Sequence, residues 1–452
     1  MGVKSRVFRC LTRGVFMGVC AQVVVVVLGV LGFVAGVRGA GVVRLEGYSF
    51  ADDGGPFLGL GVSYFQALRH AKYEPERLER NLHLLSARGF NYIRVLSMVN
   101  WDGLEIAPVS FTNREGHRVE AWPDYWERFC GLLEAAGGHG LRVEVTIFAD
   151  AQYVMPERSD RVRHMEGVLE HVRGLEDRVM HLEVANEAWQ NGFWGEEGVR
   201  DLREFAAYLA ERTELLVAIT SNHDVSGDWL EKLYGGSAAD LATVHFTRDM
   251  RTEEGGWLPV RDCYRVGRLA ALPPVTSNEP VGPGSSVATE RDPVRLCAAA
   301  VFAYLAGLPG YVFHSGAGVY AREPFEEMPG MDAFGSIRRV LPVDVANWER
   351  YGGLEAGSPF TVYCGGEAGR YWTEVEGAEE GCHRYIGMRR GKRFVSLVTG
   401  VLSGGVELEA KREMRVEVID PVTGVCATAR LLQAGERLMV PQGGGAWVVR
   451  GE

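Results

Sequence analysis

The stretch VMHLEVANEAWQNG, residues 179–192, starts as a strand and stops abruptly. Residues 179–185 are apolar enough to be covered on both faces, as strands of parallel sheets are. The run then breaks into Asn186 and Glu187, with Trp189 close behind. A strand that vanishes into a core has no use for an amide and a carboxylate side by side. One that ends at an exposed rim does.

Seven more apolar runs lie around it: 57–65, 91–97, 141–149, 214–221, 241–247, 273–279 and 310–316. Between them come segments with helical spacing. Residues 75–89 put Leu78, Leu82 and Leu85 on one face with Pro75 at the start, and residues 124–140 end in glycines. Residues 197–213 and 292–310 repeat the pattern. Strands alternating with helices imply parallel pairing. Eight such units over residues 41–352 match an α/β (β/α)8 TIM barrel in number and length. A doubly wound open sheet is the competing arrangement, but no G-x-G-x-x-G follows the first strand. From 353 to 452 the pattern changes to short alternating runs at 393–401, 405–410, 414–424, 436–441 and 446–451. Turn signals at Asp420-Pro421 and Thr423-Gly424 separate them. This predicts a small C-terminal antiparallel β-sandwich.

Residues 1–40 read differently. Lys4, Arg6, Arg9 and Arg13 precede a long apolar stretch at 14–37. That is a signal peptide or an uncleaved N-terminal membrane anchor, and both readings export the chain. The expected location is therefore secreted or attached to the cell envelope. The net charge of −11 argues against a nucleic-acid partner, which would require basic patches. Among the 8 cysteines, Cys130, Cys263 and Cys297 fall in helical stretches as small hydrophobes, and Cys364 and Cys382 flank a Gly-rich stretch where they can pair. No C-x-x-C or His-x-x-x-His spacing appears, so neither a metal nor a cofactor is expected.

A barrel of this kind carries its site at the carboxyl ends of the strands. Strand two ends near Arg94, strand four in Asn186-Glu187, and strand six carries His245. Strand seven ends in Asn278-Glu279 and strand eight carries His314. Two carboxylates at one mouth suit glycoside hydrolysis, where one must be protonated and the other ionised. Proximity of two carboxyls raises one, and Arg94 would hold the other down. Tyr64, Trp101, Trp189, Trp194, Trp257 and Tyr320 follow strands or sit in loops, where aromatic faces can stack on sugar rings. Asp150 ends strand three, as a hydroxyl ligand or a helix cap. Glu183, inside strand four, reads as a polar residue of the barrel interior.

VANEAWQNG (184–192) together with TSNEPVG (276–282) resembles the clan A glycoside hydrolases, the cellulase- and mannanase-like retaining enzymes in particular. The resemblance covers about residues 45–350, and the tail resembles the accessory sandwich of such enzymes. It implies Glu187 as acid/base, Glu279 as nucleophile, Asn186 on the sugar 2-hydroxyl, and Arg94 beside the nucleophile. His245 fits the strand-six histidine of the clan, but Phe246 stands where that pattern has tyrosine. His314 stands where it often has tryptophan. The expected activity is double-displacement cleavage of an oligo- or polysaccharide. A transglycosylase using the same pair, or a non-catalytic carbohydrate-binding barrel, remains open at this point.

Overall fold

The eight expected strands pair in chain order and close on themselves in the computed structural model. It describes residues 41–452 except 222–226, 247–262, 270–271, 285–289, 353–356, 365–366, 369–370, 373–382, 400–404 and 442–444. The barrel strands, one to eight, are Gly59–Ser63, Tyr92–Leu96, Arg142–Phe148, Val179–Ala185, Val217–Ser221, Leu241–Val244, Val275–Ser277 and Gly310–Phe313. All their pairings are parallel, and strand eight closes on strand one, with Gly310 opposite Gly59 and Phe313 opposite Val62. Every residue of these eight strands is buried, which is why they read as continuous apolar runs. The open-sheet alternative is excluded by the closure.

Helices Pro75–Ala87, Tyr125–Gly138, Gly195–Ala210 and Pro293–Leu305 cover the barrel where helical spacing predicts them. In the first, Leu78, Leu82 and Leu85 are its buried residues. Pro293–Leu305 is buried nearly all round, because the C-terminal sheets cover the face turned away from the barrel. At the barrel's amino-terminal end a three-stranded meander, Arg44–Glu46, Ser49–Asp52 and Gly55–Phe57, brings Phe50 under the strands.

The tail forms two antiparallel-dominated sheets whose facing sides make a core of their own, with Phe360, Val362, Leu408, Val416 and Val449. The strands Arg393–Thr399, Val406–Ala410, Met414–Ile419, Arg437–Met439 and Ala446–Gly451 lie where period-two alternation places them. Other described strands lie outside those runs, Phe360–Cys364 and His383–Arg390 among them. Cys426–Leu432 is largely exposed and carries no alternation. Glu349–Gly352 pairs antiparallel with His383–Arg390 of the tail, so the sandwich recruits residues just before 353. Cys130 is half-buried, and Cys263 and Cys297 are buried. The pairing expected of Cys364 and Cys382, and the leader at 1–40, lie outside the residues whose side chains are described. No described helix is long and apolar enough to cross a membrane.

Candidate active site

Alternation along the strands decides which side chains reach the barrel mouth. Arg94 of strand two is fully buried, and its guanidinium works as a branched clamp. Nη1 donates to Glu279 Oε1 at 2.7 Å. Nη2 donates to Asn186 Oδ1 at 2.8 Å and to Glu183 Oε2 at 2.8 Å. Nε stands 3.1 Å from Glu144 Oε1. Burial works against the charge of Arg94, but Glu183, Glu279 and Glu144 around it hold its pKa well above the ordinary value. It is a cation under all conditions in which the fold survives.

Glu279, also buried, faces His245 Nδ1 at 3.6 Å and His314 Nε2 at 3.8 Å from its second oxygen. His245 Nδ1 lies 3.7 Å from Glu187 Oε1, so this imidazole stands between the two carboxylates. Trp189 meets the His245 ring edge-on, 5.7 Å between centroids. His314 is oriented from behind by Ser63, whose Oγ lies 2.9 Å from Nδ1. The two departures from the clan pattern now have positions. His314 borders Glu279, and Phe246 is buried in the core.

Glu187 is the more open of the pair, with a side chain 20% exposed. Its backbone has φ 34°, a left-handed conformation that side-chain-bearing residues seldom adopt. Asn191 holds it there: Nδ2 donates to the carbonyls of Asn186 at 2.7 Å and Glu187 at 3.2 Å. The other end of the same amide accepts from the Asp150 N–H at 2.6 Å. Asp150 is itself left-handed, at φ 56°. Burial pushes its carboxyl above the ordinary value, against the Asn100 N–H and the Arg114 guanidinium. It caps no helix with its side chain. A cavity of about 340 Å³ opens here, lined by Trp101, Arg114, Asp150, Glu187, Gln190 and Tyr320 among others. Trp101 and Tyr320 form one wall, their rings 5.9 Å apart.

Arg94, Asn186, Glu187, Trp189, His245, Glu279 and His314 are thus brought together, with Trp101 across the cavity. Tyr64 is not. It is fully buried, and its hydroxyl lies between His70 Nδ1 and the Asn81 amide, 2.7 Å from each. The reason is parity: Ser63 faces the site, so Phe65 does too and Tyr64 faces away. Phe65 packs 5.1 Å from the Arg94 guanidinium carbon and 5.9 Å from the His314 ring. Trp194 is 58% exposed at the start of a helix, and Trp257 lies outside the described residues. Sequence reasoning missed Phe65, Glu144, Arg114 and Asn191. The turn-forming Asn191-Gly192 was the signal for Asn191.

Glu187, His245 and Glu279 each place one ligand-type atom within 4.8 Å of the others. That donor set can also hold a divalent cation.

No protein-family model and no curated protein matches the chain. Solved structures do. One described as a glycoside hydrolase superposes with a TM-score of 0.64 at 11% identity, over 92% of this chain and 97% of that one. A glycoside hydrolase family 5 protein from Bacteroides vulgatus gives 0.63 at 12% identity, over 92% and 93%. At these identities the likeness is one of fold, and its coverage takes in the tail as well as the barrel.

Proposed function

We propose that the chain is an exported retaining glycoside hydrolase acting on an oligo- or polysaccharide. The observation that carries this reading is the pair Glu187 and Glu279 at one barrel mouth, with Arg94 hydrogen-bonded to the buried Glu279. A guanidinium hydrogen-bonded to Glu279 favours its ionised form, as a nucleophile needs. Glu187 faces the cavity, where a leaving oxygen can be protonated. One oxygen of each lies within 4.8 Å of the other. Retaining enzymes place their carboxyls about 5–5.5 Å apart, whereas inverting ones leave about 6.5–9.5 Å for a water. The spacing supports the first.

In the first step a Glu279 oxygen attacks the anomeric carbon while Glu187 gives its proton to the departing oxygen. A glycosyl ester forms and the aglycone leaves as an alcohol. In the second, Glu187 takes a proton from water, whose oxygen displaces Glu279 from the same carbon. Two inversions give net retention. Asn186, fixed by Arg94, presents its amide to the sugar 2-hydroxyl. Trp101, Tyr320 and Trp189 offer ring faces or edges to the sugar.

The test is turnover of aryl glycosides followed by NMR of the first anomer released. Glu279→Ala should abolish turnover. Glu187→Ala should slow poor leaving groups far more than activated ones, and azide should partly restore it as a β-glycosyl or α-glycosyl azide of retained configuration. An inverted first product would refute the mechanism. Prolonged dialysis against EDTA should leave turnover unchanged, since the carboxylates act without a metal. A loss restored by added cation would favour a metal at Glu187, His245 and Glu279 instead. Export rests on residues 1–40 and is checked by amino-terminal sequencing of protein recovered outside the cytoplasm.

A further inference from the structure

We propose that Glu183 is a positioning residue, one that aims Arg94 and shares its charge so that Glu279 keeps its reactivity as nucleophile. The inference rests on the reading of Glu279 given above. Glu183 lies inside strand four, four residues before Glu187, and is fully buried. Its Oε2 accepts from Arg94 Nη2 at 2.8 Å, Arg94 Nε at 3.2 Å and Thr146 Oγ1 at 2.5 Å. Its Oε1 accepts from Thr243 Oγ1 at 2.6 Å and Asn278 Nδ2 at 2.7 Å. Donors from strands two, three and six and from the end of strand seven therefore converge on one carboxylate.

A buried carboxylate costs several kcal/mol unless it is saturated in this way, and an apolar residue would fill the barrel without that cost. What the carboxylate adds is direction. With Nε and Nη2 held by Glu183, the remaining arm of Arg94 points at Glu279, and Asn278, the residue before Glu279, is tethered to the same anion. It also divides the charge. Arg94 alone beside Glu279 would bind the carboxylate so strongly that it attacks poorly. Glu183 and Glu144 draw on the same cation.

Among the described residues, other titratable groups also face this cluster. Tyr92 on strand two and Tyr234 on the helix Gly227–Tyr234 feel Glu183. His181 Nε2, on strand four, lies 3.4 Å from Glu144. His245, His314 and, across His245, Glu187 surround Glu279.

The experiment compares wild type, Glu183→Gln and Glu183→Asp on an activated aryl glycoside across pH. Glu183→Gln removes a negative charge and leaves the guanidinium to Glu279. Its kcat should fall about tenfold or more with KM changed less than about threefold. Its acidic limb should move to lower pH by about half a unit to one unit, because one like charge beside Glu279 is gone. Glu183→Asp keeps the charge but draws Arg94 back, so kcat falls while the acidic limb stays where it is in wild type. A merely structural role would lower stability and leave the limb unmoved in both. The inference is overturned if folded Glu183→Gln keeps the wild-type kcat and limb, or if the limb moves equally in both variants. Should Glu183→Gln not fold by near-ultraviolet circular dichroism, Glu183→Asp carries the test: unchanged kcat, or a shifted limb, overturns it. A wild type that turns over no glycoside would remove the functional reading; an active wild type with unshifted variants removes only this inference.

Discussion

Arg94 shows how much a single residue type decides at the residue scale. Its planar fork serves Glu279, Asn186 and Glu183 from different nitrogens at once. A lysine carries the same charge at one point and cannot bridge them. Arg94→Lys should therefore leave buried carboxylates short of partners and cost about 3 kcal/mol or more in urea unfolding. A change below about 1 kcal/mol would mean the cluster relaxes around a point charge. Asn191 acts through backbone instead. Removing its amide takes away the bonds to the Asn186 and Glu187 carbonyls that help keep Glu187 at φ 34°, a conformation that costs about 1–3 kcal/mol. Asn191→Ala should cut kcat/KM on poor leaving groups at least about tenfold, since a displaced acid misaligns proton delivery. Equal losses on activated and poor leaving groups would place the defect elsewhere.

The element scale concerns how strand ends are held where they are. Strands one and eight meet at the mouth through a close backbone approach: a Cβ on Gly318 would stand 1.7 Å from the Ser63 carbonyl oxygen. The Phe65 N–H donates to the Gly318 carbonyl at 2.9 Å in the same contact. Gly318→Ala should push these segments apart, destabilising by about 2–3 kcal/mol. Ser63 orients His314 and Phe65 lies under Arg94, so turnover should fall with it. Another element-level device is His164, on the helix Arg158–Val172, its Nε2 2.9 Å from Ser97 Oγ. Burial pushes this imidazole down to about 3 from an ordinary 6.5. The folded state keeps it neutral, while the unfolded chain protonates it below pH 6.5. Stability from this group is thus complete above that value and declines as pH falls toward about 3, by about 1.4 kcal/mol per unit. Urea titrations should show His164→Gln losing about 3 kcal/mol less than wild type between pH 7 and pH 4. Parallel slopes would argue that the ring opens to water.

Across the whole molecule the tail is bound to the barrel through a common core. Ile386, Met388, Val395, Leu397, Ile419 and Val448 belong to the same buried cluster as the barrel helices. Polar contacts flank the seam: Arg450 Nη1 donates to the Arg339 carbonyl at 3.1 Å, and Arg350 Nη1 to that of Tyr264 at 2.8 Å. Ser336 Oγ donates to the Pro421 carbonyl. Helix Pro293–Leu305 would lose its outer cover without the tail and present an apolar face to water. A chain ended after Trp348 should therefore aggregate, and the full-length protein should unfold in one calorimetric transition. Two separated transitions, or a soluble and active truncated barrel, would show that the halves are independent.

How much of this was legible follows from where the physical signal lies. The eight barrel strands announce themselves because burial on both faces demands unbroken apolar runs, and their polar terminations mark the rim. Arg94, Asn186, Glu187, His245, Glu279 and His314 were readable as strand ends for that reason. The strand Cys426–Leu432 was not, because an exposed strand carries no burial pattern. Tyr64 and Phe65 are adjacent in sequence, and only the register of strand one decides which faces the site. Glu144 and Glu183 are single acidic letters inside apolar runs, and nothing local distinguishes a misfit from a ligand. Barrel closure brings donors from strands two, three, six and seven onto Glu183 across gaps of up to 95 residues. Local sequence determined the strands, the helices and the reactive ends, since these depend on nearest neighbours and on period. The sharing of one guanidinium among three carboxylates, and the strain at Glu187, were decided by tertiary structure alone, because both depend on distances set only when the sheet closes.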